Sequence, residues 1–155
     1  ASRSANFIFK KFDCILASSL PDPKLHNSII EKKYEISNAY ENREFAKAIR
    51  IIMSIADLIN QYIDEKKPWV IAKESGREDE LQGICSQAIC GFAALMIYLK
   101  PVLPELAKKS EDFLNTELDW KNLGNSLCSH KINKFKPLIS RIEKKQIDEM
   151  LLSVK

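Results

Sequence analysis

A long helical pattern that ends at a proline corner constrains this chain most. Apolar residues recur at helical spacing over about 43–66, stop at Lys66-Lys67, and resume at Pro68. Proline is tolerated in the first turn of a helix, because the N–H that it lacks has no intrahelical partner there. The sequence therefore predicts a sharp corner between two helices, with Trp69 in the first turn of the second helix.

The residue chemistry at this corner leaves two roles open for Trp69. An aromatic ring beside two lysines can stack on an unpaired nucleic-acid base. Burial in a hydrophobic core is the more common use of such a ring. Both roles remain open from the residues alone.

The rest of the sequence predicts one all-α domain. A chain of 155 residues with 45% hydrophobic and 29% charged residues is typical of a globular protein. Only 4 glycines occur, and alternating β-branched residues are scarce, which argues against sheets and glycine-rich phosphate loops. The net charge of +3 permits a nucleic-acid partner without indicating one. The helices are predicted over about 1–12, 23–41, 43–66, 68–74, 78–99, 104–115 and 137–154.

Two asparagine or aspartate residues are predicted to cap these helices. Asp22 followed by Pro23 favours an N-cap for the helix over 23–41, and Asn42 is expected to cap the central helix. The start of the chain shows no clear cap, so we expect it to begin inside a helix of a larger protein. Arg3 and Lys10 are seven residues apart and share a helix face with Asn6.

The central helix is predicted to bury more than half of its circumference. The predicted core positions are Phe45, Ile49, Ile52, Ala56, Ile59 and Ile63, flanked by Ala48, Ile51, Ile55, Leu58 and Tyr62. The helix over 78–99 approaches the length of a membrane span, but Gln82, Ser86 and Gln87 interrupt it. We therefore predict a buried bundle helix, with these three as its main polar residues.

Residues that carry catalytic or metal chemistry do not cluster in this sequence. His26 and His130 lie far apart and lack the spacing of metal ligands, so a structural or surface role is predicted. Asp57 and Asp64 share a helix face but are separated by about 10 Å, which is too far for a shared proton. A solvated helix face is the ordinary role of such carboxylates.

The cysteines and one group of lysines have simple interpretations. Cys14, Cys85, Cys90 and Cys128 form no C-x-x-C pair, and reduced thiols are predicted. The lysines of the irregular basic stretch are Lys131, Lys134 and Lys136. They are able to contact phosphate, although a solvated basic surface is the more common role.

Several sequence strings resemble the anticodon-binding domain of bacterial methionyl-tRNA synthetases. They are FAKAIRIIM at 45–53, ADLINQYIDEKKPW at 56–69, MIYLKPVLP at 96–104, FLNTELDW at 113–120 and HKINKFKPL at 130–138. The resemblance covers essentially the whole chain. The corner string DEKKPW is shared with related class I synthetases, whereas the FLNT and HKxNxF strings point to the methionine enzyme.

This resemblance implies a helical bundle of the class Ia synthetase anticodon-binding type and a role for five residues. Trp69, oriented by Pro68, would stack on the first anticodon base. Arg3 would recognise anticodon bases. Asp57 and Asp64 would flank the anticodon and disfavour incorrect ones. No catalytic residue and no metal ligand are expected in this segment.

The resemblance also implies a parent enzyme that joins methionine to its tRNA with ATP. The implied cofactors of that parent are ATP and magnesium, and the resemblance also allows a zinc ion there. None of them is expected in this segment, which should be inactive alone. The implied partners are a methionine-accepting tRNA with a CAU anticodon loop and the catalytic domain of the same chain. Neither a membrane nor DNA is an expected partner, and the expected location is the cytoplasm. Residues 1–155 would form one domain with a truncated first helix, and 131–155 would fold back toward the catalytic domain.

Two alternatives accompany this interpretation. The same bundle occurs in sister class I synthetases, such as those for leucine, valine or isoleucine. A helical protein-interaction domain without an RNA role is the alternative from a different functional class. Binding to RNA loops with correct and altered anticodons distinguishes the three possibilities.

Overall fold

A computed structural model describes residues 1–139 and residue 144 as an all-α bundle. Its helices are α1 (Ser2–Lys11), α2 (Pro23–Glu31), α3 (Lys33–Glu41), α4 (Phe45–Lys66), α5 (Pro68–Ile71), α6 (Glu78–Leu99) and α7 (Pro104–Leu114), followed by a 3-10 turn at Trp120–Asn122. The predicted fold class is confirmed. The helix predicted over 137–154 lies almost entirely outside the described residues.

Helix α6 is the centre of the bundle and packs against α1, α2, α4, α5 and α7. Two of the polar residues of this helix, Ser86 and Gln87, are buried. Ser86 Oγ accepts a hydrogen bond from the Ala17 N–H (2.8 Å), and Gln87 Oε1 accepts one from the Asp22 N–H (3.1 Å). These side chains tie the loop between α1 and α2 to the core.

Helix α6 is also long and apolar enough to cross a membrane, but 89% of its apolar window is buried inside the protein. Neighbouring helices supply this burial, as in the core helix of a bundle. The prediction of a buried bundle helix is confirmed.

Helix α4 buries a narrower face than predicted. Its buried residues are Ala48, Ile52, Ile55, Ile59 and Tyr62. Phe45 and Leu58, both assigned to the core from the sequence, are 55% and 42% exposed. The helix packs mainly against α3 and α6, so the described elements cover only part of its apolar arc.

The predicted helix over 23–41 is two helices that meet at Lys32. The hydroxyl of Tyr98, which is fully buried, donates to the carbonyl of Ile29 at 2.9 Å. This bond lies beside the break between the two helices, at a carbonyl that a continuous helix would also pair with the N–H four positions later. The predicted Asp22 cap is confirmed, because its Oδ1 accepts from the Leu25 N–H at 2.9 Å.

The prediction that Asn42 caps the helix over 43–66 is wrong. Helix α4 begins at Phe45 after Glu44, and no side chain caps it. Asn42 ends α3 instead, and its side-chain amide donates to Asn38 Oδ1 at 3.1 Å. Arg43, which has a left-handed backbone conformation (φ 60°), separates the two helices. Asn42 precedes Arg43 and therefore belongs to the end of α3 instead of the start of α4.

The two longest helices approach each other closely at Gly91 of α6. A Cβ atom placed on Gly91 would lie 2.8 Å from Cδ1 of Ile59 on α4. The missing side chain therefore permits the observed separation of α4 and α6.

Candidate nucleic-acid interface

The corner between α4 and α5 forms around a left-handed residue. Lys67 has φ 48° and ψ 57° and is both the C-cap of α4 and the N-cap of α5. Its N–H donates to the Ile63 carbonyl at 2.9 Å, which completes the last turn of α4. Pro68 then occupies the first turn of α5, as predicted, and is buried.

Trp69 at this corner is partly buried. It is therefore neither a fully buried core tryptophan nor the fully exposed residue that a free stacking platform would present. The following residue, Val70, is exposed, whereas Ile71 returns to the core. The buried Pro68 and Ile71 anchor the short helix and leave part of Trp69 accessible.

Tyr62 packs beneath the corner as part of the hydrophobic core. Burial raises the pKa of its hydroxyl to about 12, and the Asp22 carboxylate contributes to the increase. The ammonium of Lys66 lies over the Tyr62 ring, 5.9 Å from the ring centroid. Tyr62 is therefore a neutral supporting residue at physiological pH.

Asp57 and Asp64 lie together on the exposed face of α4. Both line one open groove that also includes Asn60, Gln61, Glu65 and Lys67. Gln61 donates to Glu65 Oε1 at 2.9 Å. Lys67 of the corner lines the same open groove, so the two aspartates lie on the same surface as this corner residue.

Arg3 lies in a different pocket. It is exposed in the first turn of α1 and lines a pocket of about 470 Å³ beside α1. This pocket includes neither Trp69 nor Asp57, and the groove at Asp57 does not include Arg3. Helix α1 links the Arg3 pocket to the corner, because Lys11 at the end of α1 donates from Nζ to the carbonyl of Ala72, which follows α5, at 2.9 Å. Arg3 and Lys11 are eight positions apart on α1, a distance of about 12 Å along the helix axis.

The Arg3 pocket contains two residues that sequence reasoning did not connect with this site. Lys134 Nζ lies 5.0 Å from the centroid of the Phe9 ring. The sequence indicates that Arg3 and Lys10 share a helix face, and it indicates a basic stretch near Lys134. Nothing in local spacing brings Lys134 and Phe9 together, because 125 residues separate them and only tertiary packing makes the contact.

Among the histidines and cysteines, His130 contacts the backbone, and Cys85 and Cys90 are buried. His130 Nε2 lies 2.8 Å from the Leu114 carbonyl. Desolvation lowers the pKa of His26, and the nearby backbone of Gly124 opposes this effect. Burial raises the pKa of the Cys85 thiol to about 12 and that of Cys90 to about 11, which disfavours the reactive thiolate. Within the described ranges no cluster of His, Cys, Asp or Glu is arranged to hold a metal ion.

Replacing Lys67 with glycine should raise the free energy of unfolding by about 0.5–1 kcal/mol. Glycine removes the steric strain of the left-handed conformation, although it also increases the entropy of the unfolded chain. Urea denaturation measures the difference. Lys66→Gly is the matched control and should lower stability by about 0.5–1 kcal/mol, because Lys66 is helical. Equal losses for both variants would show that Lys67 is not strained.

The sequence matches no family model, but its fold matches solved structures. The free Mycobacterium tuberculosis methionyl-tRNA synthetase matches with a TM-score of 0.83 and 16% identity, covering 91% of this chain and 30% of that enzyme. Two structures of the same enzyme with methionyl-adenylate match with TM-scores of 0.80 and 0.75, both at 16% identity, covering 88% and 90% of this chain and 29% and 30% of theirs. The chain therefore spans about 30% of the length of these enzymes, and it has the helical fold of part of a methionyl-tRNA synthetase.

Proposed function

We propose that this chain is the tRNA anticodon-recognition domain of a methionine–tRNA ligase. The observation that carries the proposal is the structural match, in which 91% of the chain superimposes on a methionyl-tRNA synthetase with a TM-score of 0.83. The sequence strings around the Pro68-Trp69 corner add support, because they resemble the same class of enzyme. In this proposal the parent enzyme attaches methionine to its tRNA with ATP, and this domain selects the CAU anticodon.

Trp69 would provide the stacking surface for an unpaired anticodon base. Bases in an RNA loop can leave the stack and lie against an aromatic ring, which contributes about 1–3 kcal/mol per base. The partial accessibility of Trp69 and the anchoring of α5 by the buried Pro68 support this role. Lys67, adjacent to the ring in sequence and exposed, would add attraction for the RNA backbone.

Arg3, Asp57 and Asp64 would provide discrimination between bases. Stacking tolerates every base, so specificity requires hydrogen bonds to base edges, and the guanidinium of Arg3 supplies donors for them. An ionised aspartate only accepts hydrogen bonds, and it would disfavour a base whose edge presents acceptors. The open groove that contains both aspartates beside Lys67 supports this placement.

The proposed parent is a cytoplasmic enzyme whose catalytic domain binds ATP and magnesium. The proposal also allows a zinc ion in that parent. This chain would supply RNA binding and no catalytic group, so methionine activation would require the rest of the parent. Its partners would be the methionine-accepting tRNA and that catalytic domain.

The proposal is tested by binding the 155-residue chain to a stem-loop with a CAU anticodon and to loops altered at one anticodon base. We expect a preference of about 5- to 150-fold for CAU, the range for readout of one base. Asp57→Asn and Asp64→Asn should reduce this preference while retaining affinity for CAU. Equal affinity for all loops would contradict recognition of the methionine anticodon.

The outcomes also distinguish the alternatives. Preference for a leucine, valine or isoleucine anticodon would assign the domain to a sister class I synthetase. Absence of binding to every RNA would favour a protein-interaction domain, for which the exposed Phe45 and Leu58 on α4 are available.

A further inference from the structure

We infer that the pocket beside Arg3 binds a backbone phosphate of the same RNA, at a second site separate from the tryptophan corner. This inference deepens the proposed function and rests on it. The site consists of Lys10 and Lys134, which would hold the strand without reading its sequence, whereas the neighbouring Arg3 keeps its proposed role at a base edge.

The pocket lies between α1 and the segment that contains Lys134. Its lining residues are Ser2, Arg3, Ala5, Asn6, Phe9, Lys10, Lys134, Phe135 and Pro137, and its volume is about 470 Å³. Three of these side chains are cationic, and none of the lining residues is acidic. None of the three cations forms an ion pair with a described residue. The pocket therefore has a concentrated positive charge that no described carboxylate neutralises.

Aromatic contacts hold Lys134 at the pocket. Its ammonium lies 5.0 Å from the centroid of Phe9, a distance typical of a cation–π interaction, and Phe9 is 40% exposed. The neighbouring Phe135 packs edge-on against Phe113 of α7, with ring centroids 5.1 Å apart. Asn133 further anchors the segment, because its amide donates to the Asp112 carbonyl at 2.7 Å. Lys134 is exposed, and these contacts place its ammonium beside Phe9 and its backbone against α7.

The two lysine ammonium groups in this pocket fit a phosphate better than a base. Lysine side chains carry a positive charge and only donate hydrogen bonds, so Lys10 and Lys134 cannot pair with the donor groups of a base edge. A phosphodiester presents acceptor oxygens and a negative charge, whereas a base edge presents donors and acceptors together. Phe9 already carries Lys134 on its ring, which makes it a positioning residue for the cation rather than a stacking surface.

The positive surface continues beyond this pocket. A neighbouring pocket of about 520 Å³ shares Lys134 and adds Lys109, Lys136 and one carboxylate, Asp112, so its lining carries a net positive charge. Two adjoining basic pockets suit a strand with a phosphate at every nucleotide better than a single small anion. Phosphate contacts fix the position and orientation of a nucleic acid but carry no sequence information.

The test uses Lys10→Gln, Lys134→Gln and the double variant, with binding to the CAU stem-loop measured over a range of salt concentrations. Each substitution should weaken binding by about three- to fivefold, the size of one exposed ion pair. The slope of log K against log salt should decrease by about 0.7 for each lysine removed, as expected for single-stranded RNA. The preference for CAU over altered loops should not change.

Lys121→Gln is the matched control, because Lys121 is exposed and lines none of the pockets described above. It should leave affinity and salt slope unchanged. Phe9→Leu keeps all three cations but removes the ring beneath Lys134, and it should weaken binding by about twofold. Thermal unfolding of each variant establishes that it is folded.

An unchanged affinity and salt slope in the double variant, with CAU preference intact, would overturn the second site and leave the proposed function standing. Loss of CAU preference in the unmodified chain would contradict the proposed function itself. Inorganic phosphate, exchanged for chloride at constant ionic strength, should not displace the RNA. Displacement from the unmodified chain but not from the double variant would show a site for free phosphate instead of a strand contact.

Discussion

Replacing Trp69 with alanine should weaken binding of the CAU stem-loop by about 5- to 150-fold, because one base–aromatic stack contributes about 1–3 kcal/mol. The alanine variant keeps the backbone of α5 and the buried Pro68, so the corner should remain in place. Trp69→Phe should recover much of the affinity, since phenylalanine also offers a ring for stacking. Fluorescence anisotropy of a labelled stem-loop measures the three affinities.

Trp120→Ala is the matched control for this experiment. Trp120 is 36% exposed and packs edge-on against Tyr98, with ring centroids 5.3 Å apart. Tyr98 is in the last turn of α6, whereas α5 precedes its first turn, so the two tryptophans lie near opposite ends of that helix. Trp120→Ala should lower stability but not RNA affinity. In the proposed full-length parent, Trp69→Ala should reduce tRNA charging and leave ATP-dependent methionine activation unchanged. Parallel loss of both activities would make Trp69 a structural residue.

Replacing Gly91 with valine should lower the free energy of unfolding by about 2–3 kcal/mol, the cost of overpacking a core. A Cβ at Gly91 would lie 2.8 Å from Cδ1 and 3.0 Å from Cγ1 of Ile59, and Ile29 Cδ1 is 3.7 Å away. A branched side chain would force α4 away from α6. Urea denaturation measures the loss, and a Cβ at Gly124 meets no atom within 4 Å, so Gly124→Val is the matched control.

Gly91→Ala separates the effect of the first carbon from that of branching. Alanine gains about 1 kcal/mol of helix propensity over glycine, and only the flexible end of Ile59 must move. We therefore expect a change near zero. Ile59→Val removes the Cδ1 atom, and the double variant should be more stable than the sum of the single changes predicts. A loss above about 2 kcal/mol for Gly91→Ala would show that Ile59 cannot adjust.

The features that the sequence predicted correctly depend on local chemistry. The corner follows from Pro68, whose ring fits the first helical turn, and the start of α2 follows from the Asp22 cap. Both effects act within four residues of the side chain. Helix α6 was predicted from apolar residues at helical spacing, which is a strong signal over 22 residues.

The features that could not be predicted depend on residues that are distant in sequence. Tyr98 bonds to Ile29 across 69 residues and occupies a carbonyl at the break between α2 and α3. The exposure of Phe45 depends on which neighbours cover α4, and periodicity does not encode that. The candidate site likewise contains one feature that depends on local spacing and one that depends on residues distant in sequence. Asp57 and Asp64 share a predicted helix face, whereas the Lys134–Phe9 contact requires the folded bundle.

The packing of α1 and α5 on the same helix has a consequence for RNA recognition. Both pack against α6, a 22-residue rod about 33 Å long, and the Lys11–Ala72 hydrogen bond joins them directly. The separation between Arg3 and Trp69 is therefore set before any ligand arrives. A strand that reaches both residues has to adopt the spacing that the protein dictates, and the conformational entropy lost on association falls mainly on the RNA.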